Sequence, residues 1–454
     1  MPHSSIVHDL RSAHSADALL TGVPLPTLLY FALPIILGNI FQQLYSIVDA
    51  IVVGNFLGDL PLSGISVASP IVDVANALVI GGTIGVGVLC AHYCGAGEGE
   101  RLRCMNATAL LGGGALTLLI ALCGIFFSTP LLRAQGTEEA VCREAAVYLQ
   151  LVFAGLLFCF LYNYYAAMLR SCGNSRTPFL ILLLSSTLHA LLDVLFVGVF
   201  GWGIRGVAFS TVLCQALAAA VCILYAQRRC PPLLLRPANL RFDRQMARLV
   251  LSYAWAAALQ QAVVCIGRLL VQGMLTPLGT STVTGYNMSL RTEQFLFCFS
   301  QGISAAMVVC LSQNLGHGDR PRARRFFRIS VLVELALIAL LGTVCFLFPA
   351  RIVGLFSDNA DVIAAGAQYT GAMAYLYVFA YLGEVIQGFF RGLGRLRLTM
   401  VASLLQVLLR VVLSYLLIPV WGMYGICAAV VSGWVLLVGI EGAYAVRKSS
   451  ALAA

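Results

Sequence analysis

Residues 33–49 read LPIILGNIFQQLYSIVD, an apolar run with a proline near its start and an aspartate at its end. A bilayer core about 30 Å thick is crossed by a helix of roughly 20 apolar residues, so the run and its apolar flanks predict a transmembrane helix. Pro34 can bend that helix, because proline lacks the N–H that one helical hydrogen bond needs. Gln42, Tyr45 and Asp49 are spaced three and four residues apart and share one helix face.

The composition extends this interpretation to the whole chain. Of 454 residues, 60% are hydrophobic and only 10% are charged, whereas soluble domains carry roughly 25% charged residues. Apolar runs of spanning length recur twelve times, which predicts an all-α polytopic membrane protein with twelve transmembrane helices. The net charge of +9 lies in short loops between those runs, so we expect a lipid bilayer as partner and no nucleic acid.

An internal repeat at a spacing of 221 residues divides the chain into similar halves. Gly95 and Gly97 match Gly316 and Gly318, and loop arginines match at the same spacing. Because each half holds six predicted helices, both enter the membrane from the same side, and we expect two six-helix bundles related by a pseudo-two-fold axis along the membrane normal. The predicted segments are an N-terminal tail (1–25), the first bundle (26–226), a linker (227–247), the second bundle (248–446) and a C-terminal tail (447–454).

The positive charges predict the orientation. Most of the 28 Lys and Arg residues lie at the ends or in loops that alternate along the chain, including 101–103, 228–248, 320–328 and 391–397. The positive-inside rule then places both tails and the linker in the cytoplasm of a bacterial inner membrane.

Acids inside the predicted helices are candidates for function, since a charge at the bilayer centre costs at least about 2.5–3.5 kcal/mol. Asp49 is one. His189 and Asp193, four residues apart on the fifth helix, face the same way, and a carboxylate beside an imidazole can hold or release a proton near neutral pH. A structural hydrogen-bonded pair is the alternative. Thr211 on the sixth helix offers a neutral oxygen for a sodium ion.

The second half has a different interior. Its polar residues are Glu293 and Glu384, which we expect to line a substrate cavity, and Arg268, Arg291 and Arg410. Arg410 occupies the repeat position of His189. These arginines are expected to pair internally with the two glutamates, because a buried charge is best paired; binding of an anionic group is the alternative.

Other chemistry is not expected. The fifteen cysteines lie largely within apolar runs without the spacing of a zinc site or a disulfide framework, so we interpret them as packing residues and expect no metal. A phosphate-binding loop is also missing, since Lys448 follows Arg447 where the motif needs glycine. We therefore expect no ATP, no cofactor, no catalytic residue and no enzyme activity.

Several motifs together resemble the multidrug and toxic compound extrusion (MATE) family. They are the stretch 33–49, GAGE at 95–98, LRSCGNSRTP at 169–178, LLDVLF at 191–196, QNLGHGD at 313–319 and FRGLG at 390–394. The resemblance covers nearly the whole chain. It implies an antiporter that exports small organic, cationic or amphiphilic compounds in exchange for protons or sodium ions.

The resemblance also implies residue roles. The coupling-cation site maps to Asp49, His189, Asp193 and Thr211, the bending proline to Pro34, and polar cavity positions to Tyr45 and Asn163, beside Gln42. His189 replaces the family's asparagine, which removes an amide oxygen for sodium and favours protons.

Two other functions stay open from the sequence. A flippase for lipid-linked saccharides would use the basic loops to bind anionic head groups. A passive channel or membrane scaffold would show no dependence on Asp49 or on an ion gradient. We expect a monomer that binds a small-molecule substrate.

Overall fold

In a computed structural model the chain is helical, with short connections, over the residues described, which are 18–234, 242–275, 277 and 279–447. Beyond these, the side chains at 49, 50, 59, 232 and 446 also lie outside the description. The outer parts of the predicted tails and the middle of the predicted linker therefore fall outside the described residues.

The helices of the first half follow one another with short connections. They are α1 (Pro24–Phe56), α2 (Asp59–Ala96), α3 (Gly99–Ala134), α4 (Glu139–Ser171), α5 (Arg176–Asp193) and α6 (Gly203–Arg229). A six-residue π-helical segment, Val194–Val199, extends α5.

The helices of the second half continue the series. They are α7 (Arg244–Gly273), α8 (Thr280–Gly316), α9 (Arg320–Leu347), the short α10 (Pro349–Val353), α11 (Ala360–Met373), α12 (Tyr377–Gly392), α13 (Leu396–Trp421) and α14 (Met423–Arg447).

The helix lengths and hydropathies confirm the predicted fold class. Within the described residues, 11 helices are long and apolar enough to cross a membrane, or 12 when the bent pair α11 and α12 counts as one span. That pair is bent by 58° at a short break. The break lies where α9 comes close, because a Cβ on Gly342 would stand 2.8 Å from the carbonyl oxygen of Ala374.

Large apolar side chains lie exposed along the helices. Phe126 is 75% exposed, Leu184 71% and Val420 73%. On a soluble protein such continuous apolar surface would drive association, whereas hydrocarbon chains are its natural solvent in a membrane.

The chain divides into two compact units. The first unit comprises Met1–Gly22, Leu33–Ala262 and Ser312–Gly318, and the second comprises Val23–Ala32, Val263–Leu311 and Asp319–Ala454. Three of the divisions between the units fall within α1, α7 and α8, and the predicted domain boundary in the polar linker stays a prediction.

In the first unit α4 is the central helix, and it packs against α2, α3 and α6. Leu149, Leu156 and Met168 of α4 are buried in the largest apolar cluster of this unit. Glycines set the close approach of α2 to the first part of α7: a Cβ on Gly81 would stand 2.6 Å from the Ala257 carbonyl oxygen, and one on Gly85 would stand 2.3 Å from that of Tyr253.

The second unit has an aromatic core. Four tyrosines and a tryptophan are buried together, namely Tyr286, Tyr369, Tyr377, Tyr381 and Trp434. The tyrosine hydroxyls need partners at this depth, and the hydroxyl of Tyr381 donates to the Leu296 carbonyl oxygen at 2.7 Å.

Candidate functional site

The first unit holds a buried pair of titratable side chains on α5. Nδ1 of His189 lies 2.8 Å from Oδ2 of Asp193, and both residues are almost fully buried. Their spacing of four residues places them one turn apart on the same helix face. The sequence predicted this pairing, and the geometry brings the two groups into direct contact.

Two hydroxyls on the facing helix α6 complete the surroundings of the pair. The hydroxyl of Thr211 lies 2.8 Å from Nε2 of His189 and also donates to the Val207 carbonyl oxygen at 2.8 Å. The neighbouring Ser210 donates to Oδ1 of Asp193. Ser210 was not predicted, although its position next to Thr211 on the sixth predicted helix is a signal that could have found it.

The Thr211 hydroxyl can donate to Nε2 of His189 or accept from it, according to the tautomer of the ring. Oδ2 of Asp193 has no hydrogen-bond partner among the described residues, so its 2.8 Å approach to Nδ1 of His189 is a close electrostatic contact. Two unprotonated acceptors at this distance repel each other, so a proton on either atom stabilises the contact.

Helix α1 reaches the same pair through Tyr45. Its hydroxyl lies 2.6 Å from Nδ1 and 3.1 Å from Nε2 of His189, and the two rings meet edge to face. Asp49 lies one turn further along α1, but its side chain is outside the described residues. The structure thus joins Tyr45, His189, Asp193 and Thr211, and it leaves the predicted role of Asp49 resting on the sequence.

The backbone changes form directly after Asp193. The π-helical segment Val194–Val199 begins at the next residue, and the Phe200 N–H bonds to the Leu195 carbonyl oxygen five residues back. Such segments are rare and often accompany functional sites, because they change the direction of side chains along a helix.

In the second unit, tyrosines surround Glu293. The hydroxyls of Tyr377 and Tyr369 lie 3.2 Å and 3.4 Å from Oε2 of Glu293. Arg410 and Arg268, two of the arginines predicted to pair internally, act electrostatically on this carboxylate. Arg291, the third, is exposed.

A close ion pair in the second unit is formed by another arginine, Arg391. Nη2 of Arg391 lies 2.6 Å from Oε1 of Glu384, and both side chains are largely buried. The sequence assigned Arg391 to a loop. It is instead in the last turn of α12, seven residues after Glu384, so its long side chain reaches back two turns along the same helix.

The remaining predicted cavity residues lie elsewhere in the first unit. Nδ2 of Asn163 donates to the Cys159 carbonyl oxygen at 2.9 Å within α4. Gln42 on α1 is exposed. Of the described contacts of these two residues, none is with the His189–Asp193 pair.

A group of thiols is a further feature that was not predicted from the sequence. The sulfur atoms of Cys90, Cys94 and Cys172 all lie within 4.8 Å of one another. Cys90 and Cys94 are four residues apart on α2, and this spacing was the signal available in the sequence.

The sequence is similar to those of known transporters and multidrug resistance proteins. A family model described as MatE matches residues 34–195 and 256–416. The "Probable multidrug resistance protein YpnP" of Bacillus subtilis is 27% identical over 387 residues, which cover 85% of this chain and 86% of that protein. The "FAD transporter" of Shewanella oneidensis is 26% identical over 346 residues, covering 74% of this chain and 75% of that protein.

Solved structures share the fold. That of a MOP superfamily transporter from Pyrococcus furiosus superimposes with a TM-score of 0.87 at 18% identity, and the match covers 97% of this chain and 99% of that chain. At this identity the likeness concerns the fold alone.

Proposed function

The chain belongs to the MatE family of transporters, and on that premise we propose that it is an antiporter that exports small organic cations or amphiphiles in exchange for protons. The observation that carries the proposal is the contact of His189 with Asp193, held by hydroxyls from α1 and α6. Burying ionisable side chains inside a membrane bundle costs free energy, and such residues usually mark a pathway for substrates or ions.

The geometry favours protons over sodium as the coupling ion. Sodium needs several free oxygen lone pairs in one place. Here the Thr211 hydroxyl is engaged with His189 and with its own helix, and one oxygen of Asp193 accepts from Ser210. The other oxygen of Asp193 faces an imidazole nitrogen, which is a proton acceptor.

A change in protonation of the His189–Asp193 pair can act on α1 through the Tyr45 hydroxyl. When the proton between Nδ1 and Oδ2 leaves, two acceptors face each other and the pair separates. The Tyr45 hydroxyl can then donate to the Nδ1 atom that the proton has vacated. We propose that this exchange of partners shifts α1, with Asp49 on the same helix taking part in holding the coupling ion.

Pro34 is the proposed hinge of that movement. It removes the hydrogen bond that its N–H would give to the carbonyl oxygen of Tyr30, one turn earlier. The division between the two compact units crosses α1 at Ala32 and Leu33, directly beside this weakened turn.

Proton uptake supplies the driving force. A gradient of one pH unit releases about 1.4 kcal/mol per proton, enough for a roughly tenfold substrate gradient. The membrane potential adds about 2.3 kcal/mol per 100 mV for each net charge that the exchange moves inward. ATP is not required by this scheme. We propose a monomer in the bacterial inner membrane with both termini in the cytoplasm, in line with the distribution of arginines.

A cationic or amphiphilic substrate suits the second unit. Glu293 offers a carboxylate whose Oε2 accepts from the hydroxyls of Tyr369 and Tyr377, and a carboxylate attracts cationic groups. We propose that Glu293 and Glu384 contribute to the substrate cavity.

The test is dye efflux from proteoliposomes. Ethidium-loaded vesicles that hold the purified chain receive either a proton gradient or a sodium gradient. We expect efflux with the proton gradient alone. Efflux that requires sodium would contradict proton coupling, and efflux without any gradient would contradict antiport.

His189→Asn is the matched variant for this test. Asparagine restores the neutral amide oxygen but cannot take up a proton. We expect it to lose proton-driven efflux. Unchanged proton-driven efflux in this variant would overturn the role of His189.

A further inference from the structure

Three cysteine thiols meet inside the first unit, away from the coupling site. The sulfur atoms of Cys90, Cys94 and Cys172 lie within 4.8 Å of one another, and those of Cys94 and Cys172 are 3.3 Å apart. Within the described ranges, no other group of three His, Cys, Asp or Glu side chains comes together in this way. Such a grouping is the arrangement in which thiols bind metal ions.

The local structure fixes this arrangement. Cys90 and Cys94 are one turn apart in the last turns of α2, so both point to the same side. Cys172 directly follows Ser171, the last residue of α4. The Ser171 hydroxyl donates to the Gly87 carbonyl oxygen at 2.8 Å, and this bond ties the end of α4 to α2 beside the two thiols.

A second contact holds the end of α4 at Ser171. Nε2 of Gln313 donates to the Ser171 carbonyl oxygen at 2.6 Å. The backbone before Cys172 is thus held from two sides, and the thiol is presented to Cys90 and Cys94 by a rigid frame. Preorganised ligands of this kind lower the cost of binding an ion.

The internal repeat provides a comparison within the chain. At the spacing of 221 residues, the three cysteines correspond to Leu311, Leu315 and Leu393. The burial matches position by position, with the first of each set buried and the other two half-buried. Since leucine meets the packing needs of this place in the second half, packing alone does not account for three thiols in the first.

We infer that Cys90, Cys94 and Cys172 form a binding site for a thiophilic divalent cation such as Zn²⁺, which joins α2 to the end of α4. Tetrahedral zinc with Zn–S bonds of about 2.3 Å holds its sulfur atoms about 3.8 Å apart, within the range of the sulfur separations here. Soft thiolate ligands select such ions over magnesium or calcium. This inference is independent of the proposed transport function.

Binding of the cation to the three thiols would release protons. The cation forms three metal–sulfur bonds, three S–H bonds break, and three protons leave to solvent. The fourth position of the ion is open to an outside ligand or to Cys230, whose thiol interacts electrostatically with Cys94 and Cys172. Cys230 would bind the ion only as a thiolate, so its proton would leave to solvent as a fourth metal–sulfur bond forms.

The predicted location agrees with metal binding rather than a disulfide. Cys94 lies just before the loop 97–103 and Cys172 begins the loop 172–176, and the arginines predict that both loops are cytoplasmic. Thiols stay reduced in that compartment, where clustered cysteines more often bind metals.

Cobalt titration of the purified full chain tests this site. Co²⁺ replaces Zn²⁺ at thiolate sites and shows a sulfur-to-cobalt charge-transfer absorption, which reports sulfur ligands directly. We expect the absorption to saturate at one equivalent and to disappear when Zn²⁺ is added. Loss of a ligand in Cys94→Ala or Cys172→Ala should weaken binding by more than the 10–100-fold typical of outer partners of a metal site.

Cys142→Ala is the control, because Cys142 is buried in the same apolar cluster but belongs to no thiol group. It should bind Co²⁺ as the wild type does. Absence of the absorption in the wild type, or equal absorption in Cys94→Ala and Cys172→Ala, would overturn the site.

If Cys94→Ala and Cys172→Ala do not elute from a size-exclusion column as a single folded species, alkylation of the wild-type protein tests the site instead. Zn²⁺ should protect Cys94 and Cys172 from N-ethylmaleimide but leave Cys104 reactive. Equal labelling of all three with and without Zn²⁺ would also overturn the site.

Discussion

The hydroxyl of Tyr45 on α1 lies 2.6 Å from Nδ1 of His189 on α5, the same nitrogen that faces Asp193. One imidazole atom therefore contacts both a carboxylate on its own helix and a hydroxyl on the helix that carries Pro34. This relationship makes the Tyr45 hydroxyl the link between protonation and the movement of α1.

Tyr45→Phe should keep the edge-to-face ring contact and remove only the hydroxyl. A hydrogen bond of this kind contributes about 0.5–1.5 kcal/mol, so we expect proton-driven ethidium efflux to fall by about two- to twelvefold. Efflux from proteoliposomes measures it. Tyr415→Phe, at an exposed tyrosine of α13, is the control, and a Tyr45→Phe variant as fast as that control would contradict the link.

Two adjacent glycines of α2 should respond to alanine with opposite signs. A Cβ at Gly81 would stand 2.6 Å from the Ala257 carbonyl oxygen, whereas one at Gly82 meets nothing within 4 Å. Gly81→Ala should destabilise the protein by about 1–3 kcal/mol, because backbone must move. Gly82→Ala should raise stability by up to about 1 kcal/mol through helix propensity.

Thermal unfolding in detergent compares these two variants. The expected order of melting temperatures is Gly82→Ala at or above the wild type, and Gly81→Ala clearly below it. Equal melting temperatures for the two variants would show that α2 and α7 do not approach each other as described.

The ion pair of α12 should behave as a coupled unit. Removing one partner of a fully buried pair costs about 3–5 kcal/mol, and partial exposure of Glu384 and Arg391 reduces that figure. Arg391→Gln should cost more than Glu384→Gln, because Arg391 also acts electrostatically on Glu441.

Thermal unfolding of the two single variants and the double variant forms a double-mutant cycle. We expect Glu384→Gln combined with Arg391→Gln to be more stable than Arg391→Gln alone. Strictly additive losses would indicate that the two side chains do not interact.

The sequence predicted the fold class well because bilayer thickness imposes one element length on every apolar run. It also brought His189 and Asp193 together correctly, since a spacing of four on a helix determines which face two side chains share. The sequence indicated Thr211 as a neutral oxygen on the sixth helix, but only the family resemblance placed it in one site with His189 and Asp193, because nothing local in α6 indicates which residue of α5 it faces.

Other features depend on contacts between distant segments. The thiol group needs Cys172 to meet α2 through the Ser171–Gly87 bond, which no local pattern predicts. Arg391 was assigned to a loop because charged residues usually mark helix ends, and its long side chain then returns to Glu384 inside the helix. The break between α11 and α12 has no proline at its three residues, so it too was invisible in the sequence.

The most direct test of proton coupling is the number of protons released for each ethidium exchanged. A pH-sensitive dye inside proteoliposomes measures that release when ethidium is added. Asp193→Asn keeps the size of the side chain and an oxygen for the Ser210 hydroxyl but cannot share a proton with His189. The wild type should release protons and exchange ethidium, and Asp193→Asn should do neither above the level of empty vesicles. Proton-coupled exchange at the wild-type rate in Asp193→Asn would contradict the assignment of the His189–Asp193 pair as the coupling site.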